Sequence, residues 1–161
     1  MVVTAITHRA KPVIPSYISQ VAPSESSVIK RVAYEPLFLA HLRKALGIRG
    51  VKRVSLHEPL TGLLRVTVIT VEKDTPKTEV WRALYGAAFF KGDCGKICIA
   101  VNDDIDPDNA DALLWAMAYR MNPVVDVQTL EHRGQGHGPK RELDGEEDST
   151  LLMDATMKSV M

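Results

Sequence analysis

The chain has 161 residues, of which 45% are hydrophobic and 25% are charged, a composition typical of one folded domain. Its 20 basic and 20 acidic residues cancel, so no net field directs it to nucleic acid or to an anionic membrane surface. The sequence contains no apolar stretch of the roughly 18 residues that a transmembrane helix requires, and its N-terminus lacks the pattern of a signal peptide. We therefore expect a cytoplasmic protein without a nucleic-acid or membrane partner.

The first part of the chain predicts an extended lead-in over residues 1–32. It contains several prolines and the polar cluster Pro23–Ser27, which favour a segment that crosses a surface without a core of its own. A first helix is predicted from about Glu35 to Leu46, because Pro36 suits a first helical turn. The domain proper is therefore expected to span residues 33–161.

Two strands are predicted next, at Val51–His57 and Leu63–Val71. The turn Pro59–Gly62 between them is long enough for an antiparallel hairpin. Asp74–Pro76 then begins a second helix. Its apolar spacing predicts an inward face that consists of Val80, Leu84, Ala87 or Ala88, and Phe89.

A third strand, Ile97–Val101, leads into a third helix through an acidic turn. Asp106 can cap that helix, and Pro107 suits its first position. The predicted apolar face of this helix consists of Ala110, Leu113, Leu114, Met117, Ala118 and Met121. Proline ends the helix, and Val124–Leu130 is predicted as a fourth strand. This order of elements predicts an α/β fold, with a mixed sheet of about four to five strands flanked by helices.

The string KICIAVNDDIDPDNADALLWAMAYRMNPVVDV, residues 96–127, closely resembles the C-terminal domain of the UbiD family, as does Asp154-Ala155-Thr156. The segments Ile6–Arg9 and Val32–Glu35 also resemble the matching places of that family. Family members are decarboxylases, or carboxy-lyases, that use prenylated flavin mononucleotide. The resemblance extends over nearly the whole chain, but it corresponds only to the C-terminal part of a typical member.

The resemblance implies that the catalytic arginine and glutamates of the family lie upstream of this region, in a flavin-binding barrel. No catalytic or metal-binding residue is therefore expected in this chain. In a full-length enzyme the barrel would hold prenylated FMN and a divalent metal, with potassium as a further candidate. By itself this chain is expected to bind none of them and to be inactive.

The resemblance also implies partners. The barrel would be present in cis or as a separate subunit, and the domain would serve domain closure and oligomerisation, giving a homo-oligomer that acts on aromatic or α,β-unsaturated carboxylic acids. The alternative is a non-enzymatic α/β scaffold or assembly subunit without a flavin site. A partner chain that carries the barrel would discriminate between these two functions, because only the split enzyme needs one.

Lys91 is the candidate cofactor-binding residue. It stands beside the glycine-containing turn Gly92–Gly95 and just before a strand, where a cation can reach a phosphate. The family places a lysine near this point, close to its cofactor. The alternative interpretation is an ordinary lysine at a helix C-terminus, which the helix dipole favours, and Lys96 is the competing candidate.

Asp103, Asp104, Asp106 and Asp108 invite a metal hypothesis, and the spacing of the last three copies the first half of a calcium loop. The remainder of that motif is missing, so we favour carboxylates that cap a helix N-terminus. Arg120 is expected to pair with a carboxylate elsewhere.

The glycine-rich loop Arg133–Pro139, flanked by His132 and containing His137, is a candidate for substrate selectivity, although a solvent loop is the simpler interpretation. Cys94 and Cys98 match neither redox nor zinc spacing, and Cys98 is predicted to be a small core residue. Trp81 and Trp115 are predicted to be packing or interface residues.

Overall fold

The structure is a computed structural model, and it describes residues 2–15, 24–57, 65–91, 95–134 and 147–158. The helices are α1 (Glu25–Ala40), which continues into a π-helical turn (His41–Ala45), α2 (Lys77–Phe90) and α3 (Ala110–Arg120). The strands are β1 (Val51–Leu56), β2 (Val66–Val71), β3 (Ile97–Asn102), β4 (Val127–Gly134) and β5 (Glu147–Asp154). No helix in the described part of the chain is both long enough and apolar enough to cross a bilayer.

The strands form one mixed sheet in the order β1-β2-β3-β5-β4. The three central strands, β2, β3 and β5, are parallel, and each outer strand pairs antiparallel to its neighbour. The predicted α/β fold is therefore confirmed, including the antiparallel pairing of β1 with β2. The predicted turn at 59–62 lies outside the described residues. Strand β5 was not predicted, and β4 begins at Val127 instead of Val124 because residues 123–125 form a turn.

Both faces of the sheet are covered by apolar side chains. On one face, Phe38 and Leu42 from α1 and its π-helical turn pack with Leu84 from α2 in a core where all three are fully buried. Burial of each such side chain stabilises the fold by about 1.5–3 kcal/mol relative to exposure. Cys98 lies in the same core with no exposed surface, as predicted. On the other face, Leu113 and Ala116 of α3 form a second, smaller core.

Helix α1 begins earlier than the sequence analysis predicted. The Ser24 hydroxyl accepts a hydrogen bond from the Ser27 N–H at 3.2 Å, and the Ser27 hydroxyl accepts one from the Ser24 N–H at 3.1 Å. This reciprocal pair is a capping box, so the helix begins at Glu25 rather than Glu35. Pro36 therefore lies inside the helix. Residues 2–15 are exposed and contain no helix or strand, and a domain boundary at residue 32 stays a prediction.

The start of α3 also differs from the prediction. The Asn109 side chain accepts hydrogen bonds from the Asp111 and Ala112 N–H groups, at 3.0 and 3.2 Å, and so caps the helix. Asp106 instead accepts a hydrogen bond from the Asp108 N–H at 3.0 Å, within the turn that precedes the helix. The predicted cap at Asp106 is therefore wrong, because the acidic turn is longer than the sequence suggested.

The exposed side of α3 differs from the prediction as well. Leu114 and Ala118 were predicted to face the core, and this prediction is wrong, because both are exposed. Leu113 and Ala116 occupy the buried side instead.

The acidic turn runs along the outer side of β1. Lys52, near the start of that strand, contacts Asp103, and the His57 ring just beyond its end lies 3.2 Å from the Pro107 carbonyl oxygen. An uncovered edge strand offers unpaired backbone groups to other chains. Side-chain contacts with β1 therefore hold the acidic turn in place, while the Leu56 N–H of that strand is bound by the Glu35 carboxylate of α1.

The carboxyl edge of the sheet, where β2, β3 and β5 end, is closed by the chain itself. The Asn102 side-chain oxygen accepts a hydrogen bond from the Met157 N–H at 2.5 Å. The Asp154 carboxylate accepts hydrogen bonds from the Thr156 N–H at 3.0 Å and from the Thr156 hydroxyl at 2.6 Å. The Asp154-Ala155-Thr156 motif is thus a turn folded over the edge at which open α/β sheets usually bind ligands.

Two buried carboxylates, Asp126 and Asp154, lie under this turn, and each is only 1% exposed. Asp126 accepts hydrogen bonds from the Asn122 N–H and the Lys77 ammonium, both at 2.9 Å. The Lys158 ammonium lies 3.4 Å from Asp126 Oδ1 and 3.0 Å from Asp154 Oδ2, and it donates a hydrogen bond to the Asp154 carbonyl oxygen. Asp154 Oδ2 therefore receives charge attraction without a directed hydrogen bond from any described residue.

This network determines how the stability of the fold depends on pH. Burial by itself would raise the pKa of Asp126, but the Asn122 N–H and the two lysines, Lys77 and Lys158, outweigh it and hold that pKa below its usual value. A carboxyl group whose pKa is lower in the folded state stabilises the fold above its unfolded pKa of about 3.9. That contribution is lost as the pH falls through the lower, folded pKa.

We expect Asp126→Asn to lower the free energy of unfolding at neutral pH by about 2 kcal/mol, because the amide leaves the Lys77 ammonium without its buried counter-charge and leaves Lys158 with Asp154 alone. The difference from the wild-type chain should begin to shrink as the pH falls below about 4 and should disappear below the lower, folded pKa of Asp126, where the native carboxylate is also protonated. Urea unfolding at a series of pH values measures both effects.

The matched control is Asp106→Asn, since Asp106 is exposed and its turn hydrogen bond can be made equally by an asparagine oxygen. It should change stability by less than about 0.5 kcal/mol. If the difference in the free energy of unfolding between the wild-type chain and Asp126→Asn stays constant from neutral to acidic pH, the charge of Asp126 does not stabilise the fold.

Candidate functional site

The opposite, amino edge of the sheet, where β2, β3 and β5 begin, brings together the residues that the sequence singled out. The C-terminal turn of α2, with Lys91, and the end of β4, with Arg133, both lie at this edge. Because the carboxyl edge is filled by the chain's own turn and lysines, we take the amino edge as the candidate functional site.

Lys91 follows the last residue of α2 and has an extended backbone conformation. Its ammonium lies 5.0 Å from the centre of the Tyr34 ring, which belongs to α1. A cation over an aromatic face is attracted by the ring electrons. This position is also favourable for the dipole of α2, so the alternative interpretation of Lys91 as a helix-end cation agrees with the same geometry.

Lys96, the competing candidate, has a different environment. Its ammonium contacts both carboxylate oxygens of Asp148, at 2.7 and 2.9 Å. The hydrogen bond from Lys96 lowers the pKa of Asp148, against the opposing effect of burial. Gly95, directly before Lys96, has a φ of +70°, and a side chain there would approach Cys98 Sγ to 2.7 Å. The position of Gly95 therefore favours glycine. Lys96 is held in an ion pair with Asp148.

Arg133 fixes the end of β4 to the last turn of α2. Its guanidinium donates hydrogen bonds to the Ala88 carbonyl oxygen and to the Thr150 hydroxyl, the latter at 3.3 Å. The same group lies 5.1 Å from the centre of the Phe89 ring. The first residue of the predicted selectivity loop is thus anchored close to Lys91, whereas residues 135–139, which include His137, lie outside the described part of the chain.

A bulge in β4 gives Arg133 this orientation. The pairing of β4 with β5 shifts register between Leu130 and Arg133, and His132 within the bulge has a φ of 57°. A left-handed conformation costs a non-glycine residue about 1–2 kcal/mol, so the surrounding contacts must stabilise it. Bulges commonly redirect side chains near functional sites. The sequence analysis identified Arg133 only as part of a loop, and no sequence pattern distinguished its contact with α2.

Phe89 was predicted to point inward, and this prediction is wrong. Its side chain is 63% exposed, and the next residue, Phe90, packs edge-on against Phe38 with ring centres 4.7 Å apart. Phe90 is the last residue of α2, and its ring makes the core contact that was predicted for Phe89. An exposed aromatic ring therefore lies at the amino edge next to the Arg133 guanidinium.

The acidic cluster does not form part of this site. Three of its carboxylates make ion pairs, which join Asp103 to Lys52, Asp104 to Arg120, and Asp108 to both Arg31 and Arg53. Arg120 pairs with a carboxylate as predicted, but the partner is Asp104 of the cluster itself instead of a carboxylate elsewhere. The predicted helix-capping role of the cluster is wrong, because its charges are used between elements of the fold. Within the described ranges, no group of three or more metal-ligating side chains is placed to hold an ion.

The amino edge can bind anions. Arginine and protonated lysine only donate hydrogen bonds, so Lys91 and Arg133 can hold and orient a phosphate or a carboxylate but cannot abstract a proton. Phe89 adds an apolar surface beside them. The charge at Lys91 fits the phosphate of a nucleotide cofactor, and nothing in this group of side chains supplies a nucleophile.

Comparison with known proteins shows which family this chain is similar to. The profile of the 3-octaprenyl-4-hydroxybenzoate carboxy-lyase C-terminal domain, UbiD_C, matches residues 28–155. An uncharacterised protein of Archaeoglobus fulgidus is 26% identical over 131 residues, which cover 80% of this chain and 26% of that protein.

Solved structures share the fold. The UbiD-class enzyme HmfF from Pelotomaculum thermopropionicum, in complex with FMN, superposes with a TM-score of 0.71 at 22% identity over 83% of this chain and 28% of that one. The apo 3,4-dihydroxybenzoic acid decarboxylase from Enterobacter cloacae gives a TM-score of 0.69 at 20% identity, over 81% of this chain and 28% of that one.

This chain therefore spans only about a quarter of the length of the relatives that it matches. The family profile, in contrast, covers most of this chain, including all three helices except the first turn of α1 and all five strands. The predicted resemblance is confirmed, and the chain belongs to the UbiD family through its carboxy-lyase C-terminal domain.

Proposed function

We propose that this chain supplies the C-terminal domain of a UbiD-like decarboxylase that acts on aromatic or α,β-unsaturated carboxylic acids with prenylated FMN. Membership of the family supports the reaction class. Two solved relatives, described as complexes of HmfF with FMN and with prenylated FMN, support the cofactor class. The flavin-binding barrel that completes the enzyme would be supplied in cis or as a separate subunit, because this chain spans only part of its relatives.

The domain would serve closure over the flavin site through its amino edge and would also take part in oligomerisation. The observation that carries the first role is that Lys91, at the end of α2, and Arg133, which is bound to the last turn of α2, lie at the same edge of the sheet. A bound modified flavin supplies the electron sink for decarboxylation. The residues of this chain would bind its phosphate, orient the neighbouring loop and exclude water.

We favour Lys91 over Lys96 as the phosphate ligand because of the environment of Lys96. Lys96 would first have to leave Asp148, which lies within 3 Å of it through both oxygens. A charge-assisted contact between Lys91 and a phosphate would be compatible with the position of its ammonium over the Tyr34 ring.

The chain alone is expected to show no decarboxylase activity, because the resemblance implies that the catalytic arginine and glutamates lie in the barrel, and Lys91 and Arg133 can only bind anions. Carbon dioxide release can be followed after adding prenylated FMN and a panel of aromatic and acrylic acids. A boiled sample is the control, and turnover well above that control would contradict the proposal.

We expect Lys91→Ala to weaken flavin retention when the chain is combined with a flavin-binding barrel of the family. A lysine–phosphate contact contributes roughly 1.5–3 kcal/mol, which corresponds to about ten- to more than hundredfold in affinity. Turnover per bound flavin should change little, since the residue would bind the cofactor without touching the reacting atoms. Flavin absorbance per protein after gel filtration measures occupancy, and carbon dioxide release measures turnover.

Lys96→Ala is the matched control, because it removes an equal charge from the same edge and costs only an exposed ion pair worth about 0–1 kcal/mol. It should retain flavin nearly as well as the wild-type chain. Equal occupancy in the wild-type protein and Lys91→Ala would leave Lys91 as a helix-end cation. Failure of every barrel to associate with the chain would favour the alternative, a scaffold without a flavin site.

A further inference from the structure

A residue of α1 contacts the Lys91 ammonium at the amino edge. The Tyr34 ring centre lies 5.0 Å from the ammonium, a distance at which the electrons of an aromatic face attract a cation. The backbone of Lys91 is extended, so the chain leaves the helical path of α2 at this residue while the side chain stays against α1. The contact therefore joins the end of one helix to the side of another at the candidate functional site.

The Tyr34 ring is itself fixed, because neighbouring residues hold α1 in one rotation against the sheet. The Glu35 carboxylate accepts hydrogen bonds from the Leu56 N–H at 2.9 Å and from the Arg31 guanidinium at 2.8 Å. Phe38 is fully buried in the core beneath α1. Since Tyr34 and Phe38 are four residues apart, they lie on the same face of the helix, and Tyr34 packs partly buried against the same core.

The end of α2 is fixed to this face of α1 as well. The Phe90 ring centre lies 4.7 Å from that of Phe38 and 4.7 Å from that of His41. Lys91 is the next residue along the chain. Packing of two helices, and not the lysine side chain alone, therefore determines how far the Lys91 ammonium lies from the Tyr34 ring.

An aromatic ring positions a cation differently from a carboxylate. The ring has no net charge, so contact with Tyr34 does not neutralise the Lys91 ammonium, whereas Asp148 neutralises Lys96 through both of its oxygens. A lysine side chain loses rotamer freedom when it binds a phosphate, and that loss lowers the affinity. A lysine that a ring already holds loses less freedom and keeps its charge for the phosphate.

We propose that Tyr34 is a positioning residue for the cofactor phosphate, and that its ring holds the Lys91 ammonium at the amino edge before the flavin binds. The inference rests on the proposed cofactor role of Lys91. It adds a second residue, on a different helix, that acts through Lys91. Because the attraction comes from the ring electrons, phenylalanine at position 34 should serve as well as tyrosine.

The first measurement uses the chain alone, without barrel or flavin. An aromatic ring shifts the NMR signals of protons that lie over its face, so the ε-methylene protons of Lys91 should resonate upfield of those of exposed lysines. The shift should disappear in Tyr34→Leu and persist in Tyr34→Phe. A wild-type Lys91 signal at the position of the exposed lysines would overturn the proposal.

The second measurement is flavin retention after the chain is combined with a flavin-binding barrel of the family. Tyr34→Leu should raise the flavin dissociation constant roughly two- to thirtyfold, the range that corresponds to loss of a cation–π contact. Tyr34→Phe should retain flavin like the wild-type chain. Tyr34→Leu combined with Lys91→Ala should release no more flavin than Lys91→Ala alone, because Tyr34 acts only through Lys91.

Tyr119→Leu is the matched control, since Tyr119 is a tyrosine of α3, which packs on the other face of the sheet. It should leave flavin retention unchanged. Leucine at position 34 also changes packing against the core, so phenylalanines with increasing numbers of ring fluorines are placed there as a second series. Each fluorine withdraws electrons from the ring face with little change of shape, and flavin affinity should fall stepwise with their number.

The outcomes separate this inference from the proposed function. If Lys91→Ala releases flavin while Tyr34→Leu retains it, or while the fluorinated series retains it equally, the positioning role of Tyr34 is wrong and the cofactor role of Lys91 stands. Full flavin retention in Lys91→Ala would contradict the proposed cofactor role, and the positioning role with it.

Discussion

The buried charge network at the carboxyl edge is the constraint on which the rest of the structure depends. Asp126 and Asp154 are almost fully excluded from water, and such carboxylates are tolerated only when cations and N–H donors surround them. Lys77 from α2 and Lys158 from beyond β5 meet this requirement from opposite sides. The network thereby fixes the start of β4 and the end of β5 relative to α2, and it fills the edge where a ligand would otherwise bind.

Because the carboxyl edge of the sheet is closed by the chain's own turn, the candidate functional site lies at the amino edge. At the amino edge, the bulge in β4 turns Arg133 onto the Ala88 carbonyl oxygen and the Phe89 ring, so the loop that follows starts beside Lys91. The resulting surface presents positive charge and an aromatic ring without a base or a nucleophile among these side chains. Such a surface suits a domain that covers and orients a cofactor held mainly by another part of an enzyme.

The sequence predicted the α/β class, the β1–β2 hairpin, the buried Cys98 and a charged partner for Arg120, because apolar periodicity and charge are local signals. It also predicted the start of α2 next to Pro76, but it did not predict where α1 and α3 begin. The capping box of α1 has Ser27 at the position where glutamate or glutamine is usual. The pair Asp106-Pro107 has the pattern of a helix start, but α3 is capped by Asn109. Strand β5 was missed because its first residues are charged. The contact of Arg133 with α2 depends on a bulge, and the exposed side of α3 depends on the rotation of that helix; neither leaves a sequence pattern.

The central claim, that the amino edge and not the carboxyl edge faces the flavin-binding part of the enzyme, can be measured by amide hydrogen exchange. The exchange of the chain would be compared with and without an added flavin-binding barrel of the family. The account predicts slower exchange at residues 88–91 and 131–134 in the complex, with unchanged exchange at residues 122–126 and 154–158. Slower exchange confined to residues 122–126 and 154–158 would contradict it.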